Sequence, residues 1–165
     1  MSDYRRLYQD GATYFFTVVT HKRRPIFKEE KNIQIFKQSI SAIKKSYPFE
    51  IKALVILPDH IHTLWEMPTD EQNFSLRWQL IKLYCSKRIP VKPLWQNRFW
   101  EHLVRDEKDM NRHYDYIYYN PVKHGLVTKA IDWPYSTFKR DVELGIYDKN
   151  WGLSGMSHLD DLDFE

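Results

Sequence analysis

Between positions 49 and 67 the chain sets two β-favouring runs, FEIKALVIL and HIHTLWEM, on either side of Pro58-Asp59. Two such runs split by turn residues predict an antiparallel hairpin at the centre of the fold. The flanks narrow the choice. Residues 12–20 (ATYFFTVVT) are β-branched and aromatic, as in a strand. Over 29–47, Ile33, Ile35, Phe36, Ile40 and Ile43 recur mostly at three to four, the spacing of an amphipathic helix that Pro48 stops. After the hairpin, Leu76, Leu80, Leu83 and Tyr84 predict a second helix over 73–89, and 95–105 reads as a fourth strand. Asp106 is placed to cap a third helix, with Glu107 and Asp109 in its first turn, running to about Asn120, where Pro121 interrupts or kinks it. The order β-α-β-β-α-β-α implies an α+β sandwich, one antiparallel sheet covered by helices.

A chain of 165 residues suits one domain that buries roughly 70% of its unfolded surface, so it folds without a staple. Its single cysteine, Cys85, cannot form an internal bridge and reads as a buried thiol in a reducing cytoplasm. No run of about 18 apolar residues predicts a membrane span, and the N-terminal stretch lacks the apolar core of a secretory signal. The charge is unevenly spread. Over 148–165 five acids (Asp148, Asp160, Asp161, Asp163, Glu165) face one base, Lys149, a net −4, which leaves +7 on the remainder of a chain whose total is +3. The expected organisation is a domain over 1–147 and an acidic tail over 148–165. A basic body with many aromatics is compatible with unpaired nucleic acid, although solvated charge and core packing account for the same composition.

His60 and His62 stand two apart on the predicted third strand, so they share one face and Ile61 points to the other. Two imidazoles side by side suit a divalent metal, although most isolated His-x-His pairs are surface or hydrogen-bonded histidines. His21, His113 and His158 lie in polar contexts that suggest solvation, and His102 fits either role. Asp59 is on the turn and alternates to the wrong face for a ligand.

The third helix supplies the missing chemistry in Tyr114-Asp115-Tyr116-Ile117-Tyr118-Tyr119-Asn120-Pro121. Residues four apart share a helical face, so Tyr116 and Asn120 point together. A tyrosine hydroxyl can attack phosphorus, and an amide oxygen at position 120 can complete a shell suited to Mg²⁺ or Mn²⁺. The same spacing pairs Tyr114 with Tyr118, and periodicity alone does not choose among the four tyrosines.

Taken together, Tyr4-Arg5-Arg6, the 57–62 segment Leu-Pro-Asp-His-Ile-His, Arg98-Phe99-Trp100-Glu101-His102, the 116–125 segment Tyr-Ile-Tyr-Tyr-Asn-Pro-Val-Lys-His-Gly and Asp132-Trp133-Pro134-Tyr135-Ser136-Thr137 resemble the HUH single-tyrosine transposases. The likeness is strongest to the REP-associated tyrosine transposases and spreads over almost the whole chain. It implies the HUH endonuclease fold, a ferredoxin-like sandwich with a four- to five-stranded antiparallel sheet. It implies Tyr116 as nucleophile, His60 and His62 as metal ligands and Asn120 as the third, where insertion-sequence relatives carry Gln. It also implies a bacterial, cytoplasmic enzyme acting at the nucleoid on single-stranded DNA folded into REP-type hairpins. Such an enzyme cleaves through a 5′-phosphotyrosine, works as a monomer and consumes no nucleotide cofactor.

For the DNA, Arg5 and Arg6 beside Tyr4 are placed to meet phosphates or a groove, and Lys123 and His124 follow the tyrosine helix. Arg77, Lys82, Lys87 and Arg88 can form a basic stripe on the second helix, or simply a solvated face. The acidic tail is a candidate to lie over the basic cleft and compete with DNA. The rival readings are a non-catalytic hairpin-binding protein, a rolling-circle nickase and a zinc hydrolase lacking its third strong ligand.

Overall fold

The computed structural model describes residues 10–153 and 162–164. Four strands, β1 (Thr13–Val19), β2 (Glu50–Ile56), β3 (His60–Glu66) and β4 (Trp100–Leu103), form one sheet in the order β2-β3-β1-β4. Every neighbouring pair is antiparallel. With α1 (Glu30–Ser46) between β1 and β2, and α2 (Phe74–Arg88) between β3 and β4, this is the expected ferredoxin-like α+β sandwich, with four strands.

Strand alternation sorts the core into two layers. Tyr14, Phe16, Val18, Ile61 and Trp65 face α1 and α2, and Cys85 is buried on that side, where burial pushes its thiol up to about 11. Phe15, Val55 and Leu64 face the opposite way, toward α3 (Glu107–Lys123) and α4 (Phe138–Glu143). His60 and His62 belong to this second face, so the hairpin delivers both imidazoles to α3.

The start of α3 follows its sequence signal: the Asp106 carboxylate accepts from the Asp109 amide at 2.8 Å. Its end differs from expectation. Pro121 sits inside the last turn, and the helix runs on to Lys123. Proline removes one hydrogen bond there, and the turn is closed instead by Gly125 N–H on Val122 O (3.0 Å) and Leu126 N–H on Pro121 O (2.9 Å). This double closure needs a left-handed residue, supplied by Gly125 at φ +70°. The fourth strand is shorter than the 95–105 reading. Beyond β4 the chain touches β1 through Trp95 opposite Thr20 and Gln96 N–H on Val19 O, without continuous pairing.

Two further features were not expected. The Trp133-Pro134-Tyr135-Ser136-Thr137 stretch lies along the free edge of β2: Ile56 N–H donates to Tyr135 O, Thr137 N–H to Leu54 O and the Trp133 indole to Ile56 O. It covers an edge that would otherwise invite pairing, and it leads into α4. At the C-terminal end, Trp151 packs among Tyr119, Phe138 and Tyr147, and Leu153 bridges Lys129. Residues of the 148–153 stretch therefore pack against the body. No helix among the described residues is long and apolar enough to cross a membrane.

Candidate active site

The register of β1 against β3 places Thr17 opposite His62, and this pairing fixes the histidine. Thr17 Oγ1 lies 2.8 Å from His62 Nδ1 and 2.9 Å from Phe164 O. A hydroxyl has one proton, and a carbonyl can only accept, so Thr17 donates to Phe164 and accepts from His62 Nδ1–H. His62 Nε2 then carries the in-plane lone pair. His60 is held likewise: its Nδ1 is 2.6 Å from Asp59 Oδ1, which leaves Nε2 as the second lone-pair nitrogen. Asp59 thus has a role that strand alternation hid. It stands on the turn, where the chain is free to fold its carboxylate back onto the next residue. The hydrogen bond from His60, helped by Arg23 at 3.5 Å, holds its carboxyl below the usual range against the opposing effect of burial.

Helix α3 runs along the histidine pair with one face, Tyr116, Asn120 and His124, at successive steps of four. The Tyr116 ring meets His62 edge-on at 5.0 Å and the His124 ring meets His60 at 5.2 Å. Asn120 lies on the helix between these two contacts. It is fully buried, and among the described residues neither its amide oxygen nor its nitrogen has a hydrogen-bond partner. An unsatisfied buried amide costs about 1–3 kcal/mol unless something else engages it. Two imidazole lone pairs and an amide oxygen awaiting a partner fit a divalent cation.

The other tyrosines of the segment are engaged elsewhere. Tyr118 donates to the Asp141 carboxylate and bonds Thr137, and burial first, then the bond to Asp141, raises its pKa far above the ordinary value. Tyr119 packs toward Trp151, and Tyr114, whose pKa burial raises, lies toward Tyr118. Tyr116 alone among the four meets the His62 ring, edge-on.

A second group was not legible as one. His102, Asp109 and His113 bring their ligand atoms within 4.8 Å of one another. His113, expected to be solvated, is 3% exposed, because it sits on the buried face of α3 one turn before Tyr116. Burial lowers its pKa. Its Nδ1 lies 2.8 Å from Asp109 O, and His102 Nε2 lies 2.7 Å from Asp109 Oδ2. Burial raises the Asp109 carboxyl, but hydrogen bonds from His102 and the Arg105 amide outweigh it and hold the group low. This cluster closes on itself, whereas Asn120 leaves the first one open.

Of the expected DNA contacts, Lys123 and His124 reach the site. The Lys123 ammonium lies 5.1 Å over the Tyr116 ring and donates to Leu162 O. Arg77 does not. It is 1% exposed and donates to the carbonyls of Tyr47, Asn73 and Pro48, tying α2 to the end of α1. Lys82 donates to Gln96 O on the same α2 layer, across the sheet from Tyr116. Arg77 drops out of the expected basic stripe because helical spacing does not show which residue is buried, whereas Lys82 is half-buried and Lys87 and Arg88 are exposed. Tyr4, Arg5, Arg6 and His158 lie outside the described residues.

The acidic end of the chain reaches the same place. The Phe164 ring lies 4.4 Å from His113 at 16° and 4.7 Å from Tyr116, so residues 162–164 cover the tyrosine.

Comparison with known proteins identifies the family. The family model described as Transposase IS200 like matches residues 8–107. The REP-associated tyrosine transposase of Escherichia coli (strain K12) is 46% identical over 151 residues, covering 92% of this chain and 91% of that protein. A putative REP-associated tyrosine transposase of Haemophilus influenzae (strain ATCC 51907 / DSM 11121 / KW20 / Rd) is 42% identical over 166 residues, covering 92% and 94%. A solved structure of a REP-associated tyrosine transposase bound to a REP hairpin superimposes with a TM-score of 0.86 at 45% identity, covering 92% of this chain and 91% of that one. The chain belongs to the IS200-like transposases, DNA-cleaving enzymes, and among them to the REP-associated tyrosine transposases.

Proposed function

We propose that this chain binds REP-type DNA hairpins and cleaves the adjoining single strand with Tyr116 as nucleophile. The observation that carries the reading is the α3 face on which Tyr116 meets His62, His124 meets His60 and the orphaned Asn120 amide lies between them. The hairpin as partner is supported by the relative of TM-score 0.86 bound to one. His60, His62 and Asn120 would hold the metal, and a bound Mg²⁺ or Mn²⁺ would neutralise charge on the scissile phosphate.

The chain's own groups do the rest. Thr17 and Asp59 orient the two imidazoles. A cavity of about 310 Å³ opens on His60 between Arg23, Asp59 and His124, and admits the phosphate backbone. The Lys123 ammonium over the Tyr116 ring is placed to offset negative charge that develops during the attack. The Tyr116 oxygen attacks phosphorus, the P–O3′ bond breaks, and the proton that the phenol gives up is balanced by the one that the departing 3′-oxygen gains. The phosphate stays on Tyr116 as a 5′-phosphotyrosine, whose bond energy allows a 3′-hydroxyl to reverse the step without any nucleotide cofactor. In this reading Tyr116 acts on the site of its own chain, beside His62, and the enzyme works as a monomer. Tyr4, Arg5 and Arg6 remain hairpin contacts in this reading, and the setting is the bacterial cytoplasm and nucleoid.

Incubation with a labelled hairpin carrying a single-stranded flank, with Mn²⁺ or EDTA, followed by denaturing gel, tests it. A metal-dependent covalent adduct is expected in the wild type and in Tyr118→Phe, and none in Tyr116→Phe. An adduct that survives in Tyr116→Phe would reassign the nucleophile.

A further inference from the structure

We infer that His102, Asp109 and His113 form a second metal site, separate from the one at His60 and His62, and that it takes a borderline divalent ion of the Zn²⁺ class. β4 carries His102, and the first two turns of α3 carry Asp109 and His113, four apart on one face. The ligand atoms of the three lie within 4.8 Å of one another. A tetrahedral Zn²⁺ has bonds of about 2.0–2.2 Å and so needs its ligands roughly 3.3–3.6 Å apart, a contraction within reach of side-chain rotation. Two imidazoles and a carboxylate, with water in the fourth position, are a donor set that this ion accepts.

The ligands are already oriented. His113 Nδ1 lies 2.8 Å from Asp109 O, and a carbonyl can only accept, so Nδ1 carries the proton and Nε2 the lone pair. Among the described residues that Nε2 has no hydrogen-bond partner. A metal-bound histidine commonly donates its other nitrogen to a backbone carbonyl in this way. His102 Nε2 lies 2.7 Å from Asp109 Oδ2, with a proton between them. The ion takes that proton's place: the proton passes through water to His102 Nδ1, and Nε2 gives the ion its lone pair. The two rings now lie nearly parallel, 4.7 Å apart at 15°. Two imidazoles that share an ion do not stay face to face. His102 is the ring that turns, because it is the less buried and stands on an edge strand.

The surrounding charge selects the ion. Asp109 supplies one negative charge, while Arg105, Lys108 and Arg112 stand in the wall of the same cavity of about 400 Å³. Such cations disfavour Mg²⁺ or Ca²⁺, which bind through charge and oxygen ligands. Zn²⁺ draws most of its affinity here from nitrogen lone pairs, and the cavity gives it a path in. Once bound, it pins β4 to the helix whose Tyr116 follows His113 by three residues, roughly 4.5 Å along the axis.

Equilibrium dialysis of chelator-treated full-length protein against Zn²⁺, with elemental analysis of the bound metal, tests the site without recourse to DNA cleavage. Asp109→Asn and His102→Gln should each bind one equivalent fewer than the wild type. A His60→Ala/His62→Ala variant should keep that equivalent, and excess Mg²⁺ should not displace it. Co²⁺ used instead should give the intense visible bands of four-coordinate cobalt, lost in Asp109→Asn. Zn²⁺ should raise Tm in the wild type and in the His60→Ala/His62→Ala variant, but not in Asp109→Asn. Tm without metal separates lost ligation from lost folding, and half-buried His102 offers the milder variant should Asp109→Asn fail to fold. An equivalent that survives in both Asp109→Asn and His102→Gln places the ion elsewhere and overturns the site. Loss of that equivalent in the His60→Ala/His62→Ala variant, or its displacement by Mg²⁺, overturns it as well.

Discussion

At Asn120 the interests of folding and of catalysis part company. Its amide is fully buried with no hydrogen bond among the described residues, so folding alone would favour an apolar residue of similar shape. Asn120→Leu is expected to leave stability unchanged or raise it, by up to ~1–3 kcal/mol in a denaturant titration. The same variant should lose the metal-dependent adduct. A clear loss of stability would show that the amide has a structural partner instead. Thr17 makes the complementary case, since its hydroxyl only orients His62 and holds Phe164. Thr17→Val keeps the shape and removes the hydroxyl, so the Mn²⁺ concentration needed for half-maximal adduct should rise roughly 10–100-fold, the usual cost of losing a group that orients a metal-binding histidine. An unchanged metal requirement would remove Thr17 from the site. The two histidines were legible because strand alternation over three residues decides their face. Thr17 and Asp59 were not, because their roles depend on cross-strand register and on how a turn folds back.

At the scale of elements, α3 carries both the candidate chemistry and a liability to acid. Burial lowers the pKa of His113, which is packed against Phe15 and Phe164 and faced by Asp109, His102 and Arg112. The folded state therefore resists a proton that the unfolded chain accepts. Its contribution is complete above the ordinary histidine value of about 6.5 and is lost progressively as pH falls below it. Asp109, held low, begins to lose its contribution only below the ordinary carboxylate range, so the two windows separate. Tm measured from pH 7.5 to 5 should fall in the wild type, and the slope should flatten in His113→Phe. Equal slopes would place the titrating group elsewhere. The helix also shows where sequence reading works. Its cap at Asp106 is a local event and was legible, as were all four strands and the helices α1, α2 and α3. Pro121 was misread because its cost depends on the Gly125 turn that closes the helix, and Arg77 because the carbonyls it binds come from α1's end and α2's own cap. Residues 138–143 carry only a single turn and a half of helix, too little periodicity to register against the edge-covering stretch before them.

The whole molecule sets an acidic C-terminus against a basic body, and the described part of that tail ends on Tyr116. Leu162 receives the Lys123 ammonium on its carbonyl, and Phe164 fills the slot beside His113 and Tyr116. A strand bearing phosphates and bases would need these same groups, so tail and DNA are expected to compete for them. Because residues of the 148–153 stretch pack against the body, the informative truncation falls after Leu153 and spares the packing of Trp151. It removes Leu162 and Phe164 from the second core layer, so Tm should fall slightly. Adduct formation should nonetheless accelerate, on the order of tenfold, as the fraction of molecules with an open site rises. Phe164→Ala should give part of the gain. A peptide of residues 154–165 added to the truncated protein should restore inhibition only near millimolar concentration, since tethering supplies that concentration within the chain. A tail that merely packs would lower Tm on removal without raising the rate. Opposite movement of the two quantities is what distinguishes a competitor for the site from an ordinary piece of the core.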